Sequence, residues 1–237
     1  MSVTDGEPQG VSVEERFLKP VYQPAPLRDA VYRSLEELII YGALRPGEHL
    51  VETSLAKQLH VSRAPVREAL QQLHREGWID LRPRQGAYVH QPTLKEVDET
   101  FRVRTLLEVE SARLAAANRS EEALQSLKET LEAGDKAYER GDGKALVIEN
   151  SSFHEKVAQA SGNEVLSQMI SGLDKRIRWY FAPVVKQRAL ESWREHAKIV
   201  RAIKSGAPDR AAELMRKHAE QTKAAYHKER ERTLDGS

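Results

Sequence analysis

The helical periodicity of this chain breaks for only three residues between two amphipathic runs near its N-terminus, and that short interruption limits the possible folds more than any other feature. Before it, "ETSLAKQLHV" sets Leu55, Ala56 and Leu59 at helical spacing, with Thr53 or Ser54 as the expected cap. After His60–Ser62, "RAPVREALQQLHREGW" places Val66, Ala69, Leu70 and Leu73 on one stripe. Ser62 is the natural N-cap there, and Pro65 falls in the first turn, where a missing N–H does no harm. Upstream, "LRDAVYRSLEELIIYGAL" repeats Leu27, Val31, Leu35, Leu38 and Ile39 at the same spacing, and "RPGEHL" reads as a turn. Downstream, Ile79 and Leu81 alternate, Arg82–Gly86 turn, and Ala87–Val89 return as a short hairpin with a basic tip.

Helix, helix, tight turn, helix, basic hairpin is the layout of a winged helix-turn-helix. The layout explains an electrostatic misfit. Arg63 and Arg67 lie four apart in the first turns of the third helix, where the macrodipole favours acids. A recognition helix enters the DNA major groove by that end. Arginine matches guanine O6 and N7, and phosphate rewards a cation there. From Lys57 to His90 six basic residues face three acidic ones, a local +3 in a chain whose formal net charge is +1. The bland alternative is a pair of solvated arginines beside a structural hairpin.

A length of 237 residues allows two domains with real cores. Absence of cysteine excludes disulfides and thiolate metal sites. The N-terminus is polar and no apolar run approaches the roughly 20 residues that span a bilayer, so a soluble, cytoplasmic protein with no membrane partner is expected. With 31% charged and 6% aromatic residues, helix should dominate. We divide the chain into a flexible arm (1–24), the winged helix-turn-helix (25–92), an all-helical unit (93–228) and a C-terminal tail (229–237). Thr93 and Glu96 form a capping box at the start of the helical unit. Breaks at 118–120, 141–143, 161–163, 182–187 and 205–209 leave about six helices there. Trp179, Tyr180 and Phe181 are expected to pack in the core or an interface.

Three histidines carry the chemistry of that half. His196 and His218 stand 11 positions either side of Ala207, at the centre of a turn. In an antiparallel hairpin both then sit about 16 Å from the turn and can meet. His154 follows Asn150 by one turn on a common face. Neutral imidazoles with one oxygen ligand make a usable first-row metal site. The competing reading is a set of unrelated surface or core histidines.

Residues of about 27 to 90, through "LRPGEHL", "LAKQLHVSRAPVREALQQLHREGWI" and "GAYV", resemble the DNA-binding domain of GntR-type bacterial transcription regulators. Residues of about 95 to 228 resemble the FCD ligand-binding domain of the FadR subfamily, through "RTLLE", "NSSFH" and the later pair of histidines. The resemblance implies a mainly α protein, a homodimer that grips palindromic double-stranded operator DNA and most often represses. It implies DNA contacts by Arg63 and Arg67, with Ser62, Arg84 and the wing's Gly86 beside them; Thr53 stands where relatives often carry another arginine. It implies a divalent metal, zinc or nickel, held by Asn150, His154, His196 and His218, and a small carboxylate effector near Arg104. Many members have Asp where this chain has Asn150, and an amide oxygen brings no charge to the ion. Effector and metal binding would then be coupled, the effector supplying the missing anionic oxygen.

Two rival functions remain open at this point. One is a metal hydrolase in which the three histidines activate water. Against it, Glu155 follows His154 but Ala158 stands where an H-E-x-x-H frame needs its second histidine. The other is a DNA binder whose helical half only dimerises. The Arg104 side chain has its own alternative, an ion pair with Glu108.

Overall fold

The computed structural model describes residues 26–235, so the expected N-terminal arm lies outside the described residues. The head consists of α1 (Pro26–Ile40), β1 (His49–Leu50), α2 (Glu52–Gln58), α3 (Arg63–Arg75), β2 (Ile79–Arg82) and β3 (Gly86–Val89). β3 is central in the sheet, pairing antiparallel with both β1 and β2. Val31, Leu35 and Ile39 of α1 are buried with Val66, Ala69, Leu70 and Leu73 of α3. Leu27 and Leu38, expected on the same stripe, are instead exposed, because α1 meets its partners along a narrower face than its apolar spacing offers.

Three local features differ from the sequence reading. "RPGEHL" ends in the strand β1, a two-residue element too short to alternate visibly and held only by its pairing with Tyr88 and Ala87. α2 begins at Glu52 with Val51 as its extended N-cap, so Thr53 and Ser54 lie inside the first turn and cap nothing. Leu81 is exposed on the outer face of the hairpin.

The helical unit comprises α4 (Leu94–Asn118), α5 (Glu121–Glu139), α6 (Gly143–Ala160), α7 (Glu164–Phe181), α8 (Val185–Lys204) and α9 (Pro208–Asp235). The caps follow the local chemistry. Thr93 and Glu96 form the expected capping box, and Ser120, Asp142 and Asn163 each accept a backbone N–H from the first turn of α5, α6 and α7. The break expected at 182–187 is reduced to a 3-10 turn, Ala182–Val184, and Lys186 and Gln187 are already helical. Residues 229–235, expected as tail, continue α9: Tyr226 is buried and Glu229 accepts from Gln187 of α8 at 2.7 Å, which holds the last turns down.

The two units share one continuous core. Trp78 and Ile79 of the head are buried in the same cluster as Phe101, Trp179, Tyr180 and Phe181. The Trp78 and Trp179 rings lie 5.3 Å apart. Polar contacts seal this seam: Lys175 of α7 pairs with the buried Glu36 of α1 at 2.8 Å. Arg176 covers the Trp78 ring at 4.4 Å and donates to the Glu76 carbonyl. The Tyr32 hydroxyl lies against both Glu36 and Glu76.

Candidate functional site

The first site is a groove on the head. Arg63 and Arg67 of α3 line it with Thr53 of α2 and with Arg84 and Gly86 of the β2–β3 hairpin. Five of the six expected DNA-facing residues are therefore together; Ser62 holds the N-cap position of α3 on extended backbone, but its side chain makes no capping hydrogen bond and it does not line the groove. The compensating charge for the two arginines is inside the chain. Glu52 Oε2 lies 3.5 Å from Arg63 Nη2 and 3.4 Å from Arg67 Nε. Both guanidiniums remain more than half exposed, at 60% and 56%, so these pairs are screened and weak, and a phosphate can displace them. The sequence reading missed Glu52, which sits just outside the window in which charge clusters.

The hairpin tip is built on left-handed backbone. Arg84 has φ +63° and Gly86 φ +100°. A Cβ on Gly86 would come within 2.8 Å of His49 Nε2, so the close approach that this glycine allows is that of β1. His49 in turn stacks on Tyr88 at 4.7 Å, and the Arg82 guanidinium lies over the Tyr88 ring, 4.1 Å from its centroid. These contacts fix the wing's basic end beside the groove.

The second site lies in the helical unit, where His154 of α6, His196 of α8 and His218 of α9 converge, all buried. The Nε2 atoms of His196 and His218 are 3.3 Å apart, and those of His218 and His154 are 3.2 Å apart. Each of two rings has a carboxylate behind it. His218 Nδ1 lies 2.8 Å from Glu195 Oε2, and His154 Nδ1 lies 2.9 Å from Glu108 Oε1. The His218 contact is a hydrogen bond, while the His154 contact is a charge pairing without hydrogen-bond geometry; a carboxylate at Nδ1 favours the imidazole proton there and leaves Nε2 as a lone pair. Two such lone pairs facing one another repel unless a cation lies between them. Nitrogen atoms on a tetrahedral ion at about 2.05 Å stand roughly 3.3 Å apart, the separation observed. Burial lowers the His154 pKa to about 4 against the pull of Glu108, and lowers those of His196 and His218 as well, so the rings are neutral ligands at pH 7.

Asn150 is buried one turn before His154, and its Oδ1 has no protein partner. The donor set therefore fits a first-row divalent ion: neutral imidazoles with oriented tautomers and a spare neutral oxygen. Glu195 and its support were missed in the sequence. Arg188 grips Glu195 through both carboxylate oxygens, at 3.2 and 2.6 Å, and reaches Thr222. The only sequence signal was spacing, since Arg188 and Glu195 are two helical turns apart on α8.

A cavity of about 150 Å³ opens beside His154. Two arginines (Arg104, Arg178), three acids (Glu108, Glu155, Asp174) and two serines (Ser151, Ser171) supply the rest of its polar lining, and Ile170, Leu173 and Ile177 its apolar wall. Arg104 lines this cavity and also makes the ion pair expected as its alternative. Its Nε donates to Glu108 Oε1 at 2.7 Å within α4, while its Nη1 is buried without a partner. Burial would raise the Glu108 pKa, but Arg104 and His154 outweigh it and hold that carboxyl down at about 2.

Comparison with known proteins agrees with both halves. Residues 27–89 match the family described as bacterial regulatory proteins, gntR family, and residues 99–221 match the FCD domain. The chain is 32% identical over 187 residues to the HTH-type transcriptional regulator YdhC of Bacillus subtilis, covering 77% of this chain and 83% of that one. It is 27% identical over 214 residues to the HTH-type transcriptional repressor RspR of Escherichia coli, covering 89% and 93%. The solved structure of E. coli McbR/YncC superposes with a TM-score of 0.71 at 26% identity, covering 86% of this chain and 99% of that one.

Proposed function

Because the chain belongs to the gntR family of bacterial regulatory proteins and carries an FCD domain, making it a transcriptional regulator and not an enzyme, we propose that it is a homodimeric repressor whose hold on operator DNA is set by a small carboxylate bound beside a metal. The hydrolase alternative falls with the family. The repressor assignment follows RspR, a transcriptional repressor by name.

In this reading Arg63 and Arg67 reach base edges or phosphates from the first turns of α3, and Arg84 follows the adjacent backbone. Ser62 and Thr53 offer hydroxyls to phosphate. DNA competes with Glu52 for both guanidiniums, which favours a partner able to align two forks at once. Two-fold symmetry places two such heads on half-sites about one helical turn apart. α4 and α7 pack together and expose Val103, Leu106, Val165 and Met169, the kind of apolar area that a second copy would cover.

His154, His196, His218 and Asn150 would hold zinc or nickel, which supplies a positive centre for a carboxylate oxygen. Arg104 Nη1, buried and unpaired beside the cavity, would take the same anion from the other side. The cavity volume matches one that admits benzene, so the effector has roughly six non-hydrogen atoms. The observation that carries this reading is the 3.2 Å Nε2–Nε2 separation of His154 and His218, each ring with a carboxylate at its Nδ1, with His196 Nε2 3.3 Å from that of His218. The test is zinc and nickel titration of the chelator-treated protein, with and without small carboxylates. We expect one ion per chain and tighter binding with acid present. No binding by the wild type, or undiminished binding by His196→Ala, would remove the metal from the account.

A further inference from the structure

Residues 90–93 join β3, the second strand of the wing, to α4, so His90 stands where the head meets the helical unit. Its side chain touches both. Nδ1 lies 3.0 and 3.2 Å from the two carboxylate oxygens of Asp80 on β2, and Nε2 lies 3.1 Å from Glu96 Oε1 in the first turn of α4. Asp80 sits opposite Tyr88 in the β2–β3 pairing, at the base of the hairpin whose tip carries Arg84 and Gly86. The second oxygen of Glu96 is taken by the capping box, where it accepts from the Thr93 N–H at 2.7 Å and from the Thr93 hydroxyl at 2.8 Å. One imidazole ring thus bridges the base of the wing and the anchored start of the helical unit.

The two carboxylates ask for more than a neutral ring can give. A neutral imidazole has one N–H, so one of the two acids would face a bare nitrogen and be repelled. The imidazolium donates at both nitrogens and pairs with both acids. Burial would raise the Glu96 pKa, but the bonds from Thr93 and the His90 ring outweigh it and hold this carboxyl below its ordinary value, so Glu96 accepts and does not donate. The other titratable and charged groups around the ring are His74 of α3, Glu99 of α4, and Arg176 and Tyr180 of α7, which line the same open groove. His74 Nδ1 is tied to the Ile79 carbonyl at 3.1 Å and Arg176 to the Glu76 carbonyl, so neither replaces His90 between its two acids. We propose that His90 is a proton-operated clasp that positions the wing on the helical unit, closed on both acids when the ring is charged and open on one side when it is neutral.

Closing the clasp takes up a proton. Imidazole side chains change charge between about pH 5 and 8, so the hold on operator DNA should weaken as pH rises through that window. The ring is 22% exposed and each acid 45%, so solvent screens the pairs and the effect is a few-fold. This inference rests on the reading of the described arrangement as the one that grips the operator, and it adds the residue that holds the wing in place there.

The experiment uses the full-length protein and a duplex selected from a random library by the wild type at pH 6. The ring is followed by NMR of histidine-labelled protein, its signal assigned by its absence in His90→Gln, and DNA binding by fluorescence anisotropy at pH 6 and pH 8 at constant ionic strength. At pH 6 the wild-type ring should carry hydrogen-bonded N–H groups at both nitrogens. From pH 6 to 8 the wild type should lose about 2- to 5-fold more operator affinity than His90→Gln does, the range expected of partly exposed ion pairs. The other histidines are common to both proteins and drop out of that difference. Asp80→Asn, with one acid left for a neutral ring to satisfy, should lose the extra pH dependence as well. His90→Arg, a permanent cation with donors for both acids, should bind at pH 8 about 2- to 5-fold more tightly than His90→Gln. A ring with a single N–H at pH 6, or equal losses by the wild type and His90→Gln, would overturn the clasp. So would a His90→Arg variant no better than His90→Gln at pH 8, since charge would then not be what the position needs. If the wild type selects no duplex, the reading of the head as a DNA grip fails and takes the wing's positioning with it, while the ring spectra still report whether the clasp closes.

Discussion

Arg63 and Arg67 show how far a single side chain can be read from its neighbours in sequence. Their spacing and position at a helix start pointed outward to an anion, and the structure places both in one open groove. It also adds Glu52, which reaches them from another helix and moderates the misfit before any DNA arrives. If Arg63 reads a base, Arg63→Ala should weaken specific operator binding by about 1–3 kcal/mol while leaving random duplex nearly unaffected. An equal loss on both duplexes, with a shallower salt dependence, would mark a phosphate contact instead. Gly134 is a residue that sequence reasoning passed over entirely. It lies in the middle of α5, where glycine is unfavourable, yet a Cβ there would lie 1.8 Å from the Trp193 ring of α8. The glycine lets two helices approach, and Trp193 fills the gap and donates to the Leu131 carbonyl at 3.2 Å. Gly134→Ala should therefore destabilise by about 1–3 kcal/mol or more through overpacking, despite its better helix propensity, as urea unfolding would show. A stabilised variant would mean that α5 and α8 separate more easily than this packing implies.

At the scale of elements, boundaries written in local chemistry were legible. Thr93 accepts from the Glu96 N–H at 3.2 Å and Glu96 accepts from the Thr93 N–H at 2.7 Å, the reciprocal pair that the sequence announces. Thr93→Ala should cost about 1 kcal/mol, read as a lower urea midpoint at unchanged slope. An unchanged midpoint would mean that packing alone holds the start of α4. Elements defined by pairing were not legible. β1 is two residues long and exists because β3 lies beside it. Likewise α9 outlasts its expected end because Gln187 and the core reach it, and no residue near Lys228 carries that information.

For the whole molecule, the histidine cavity governs the response to acid. Take the chelator-treated protein. Burial lowers the pKa of all three clustered histidines, that of His154 to about 4, while an unfolded histidine titrates near 6.5. Between those values the unfolded chain binds more protons than the folded one, so stability rises with pH across that window. The thermal unfolding midpoint should thus fall steeply from pH 6.5 down to about 4, and His154→Gln should flatten part of the slope. A flat profile in the wild type would contradict the burial of neutral imidazoles. The apolar side chains exposed on α4 and α7 make a second prediction at this scale. Leu106→Glu, at a position 65% exposed in the single chain, should give a monomer by light scattering with little loss of fold, and its operator affinity should fall at least tenfold with one head lost. A dimeric variant would place the interface elsewhere.

Taken alone, the order of residues determined what depends on near neighbours: the helix stripes, the caps, the basic hairpin and the equal heights of His196 and His218 about their turn. Such features are periodic or local, and their physics acts within a few residues. Only the tertiary structure decided which distant groups share a space. Glu195 behind His218, Glu52 between two arginines and Trp193 over Gly134 are all matters of side-chain direction across packed helices. Ion pairs and close contacts act over a few ångströms of space whatever the distance along the chain, so they emerge only once the helices are in place.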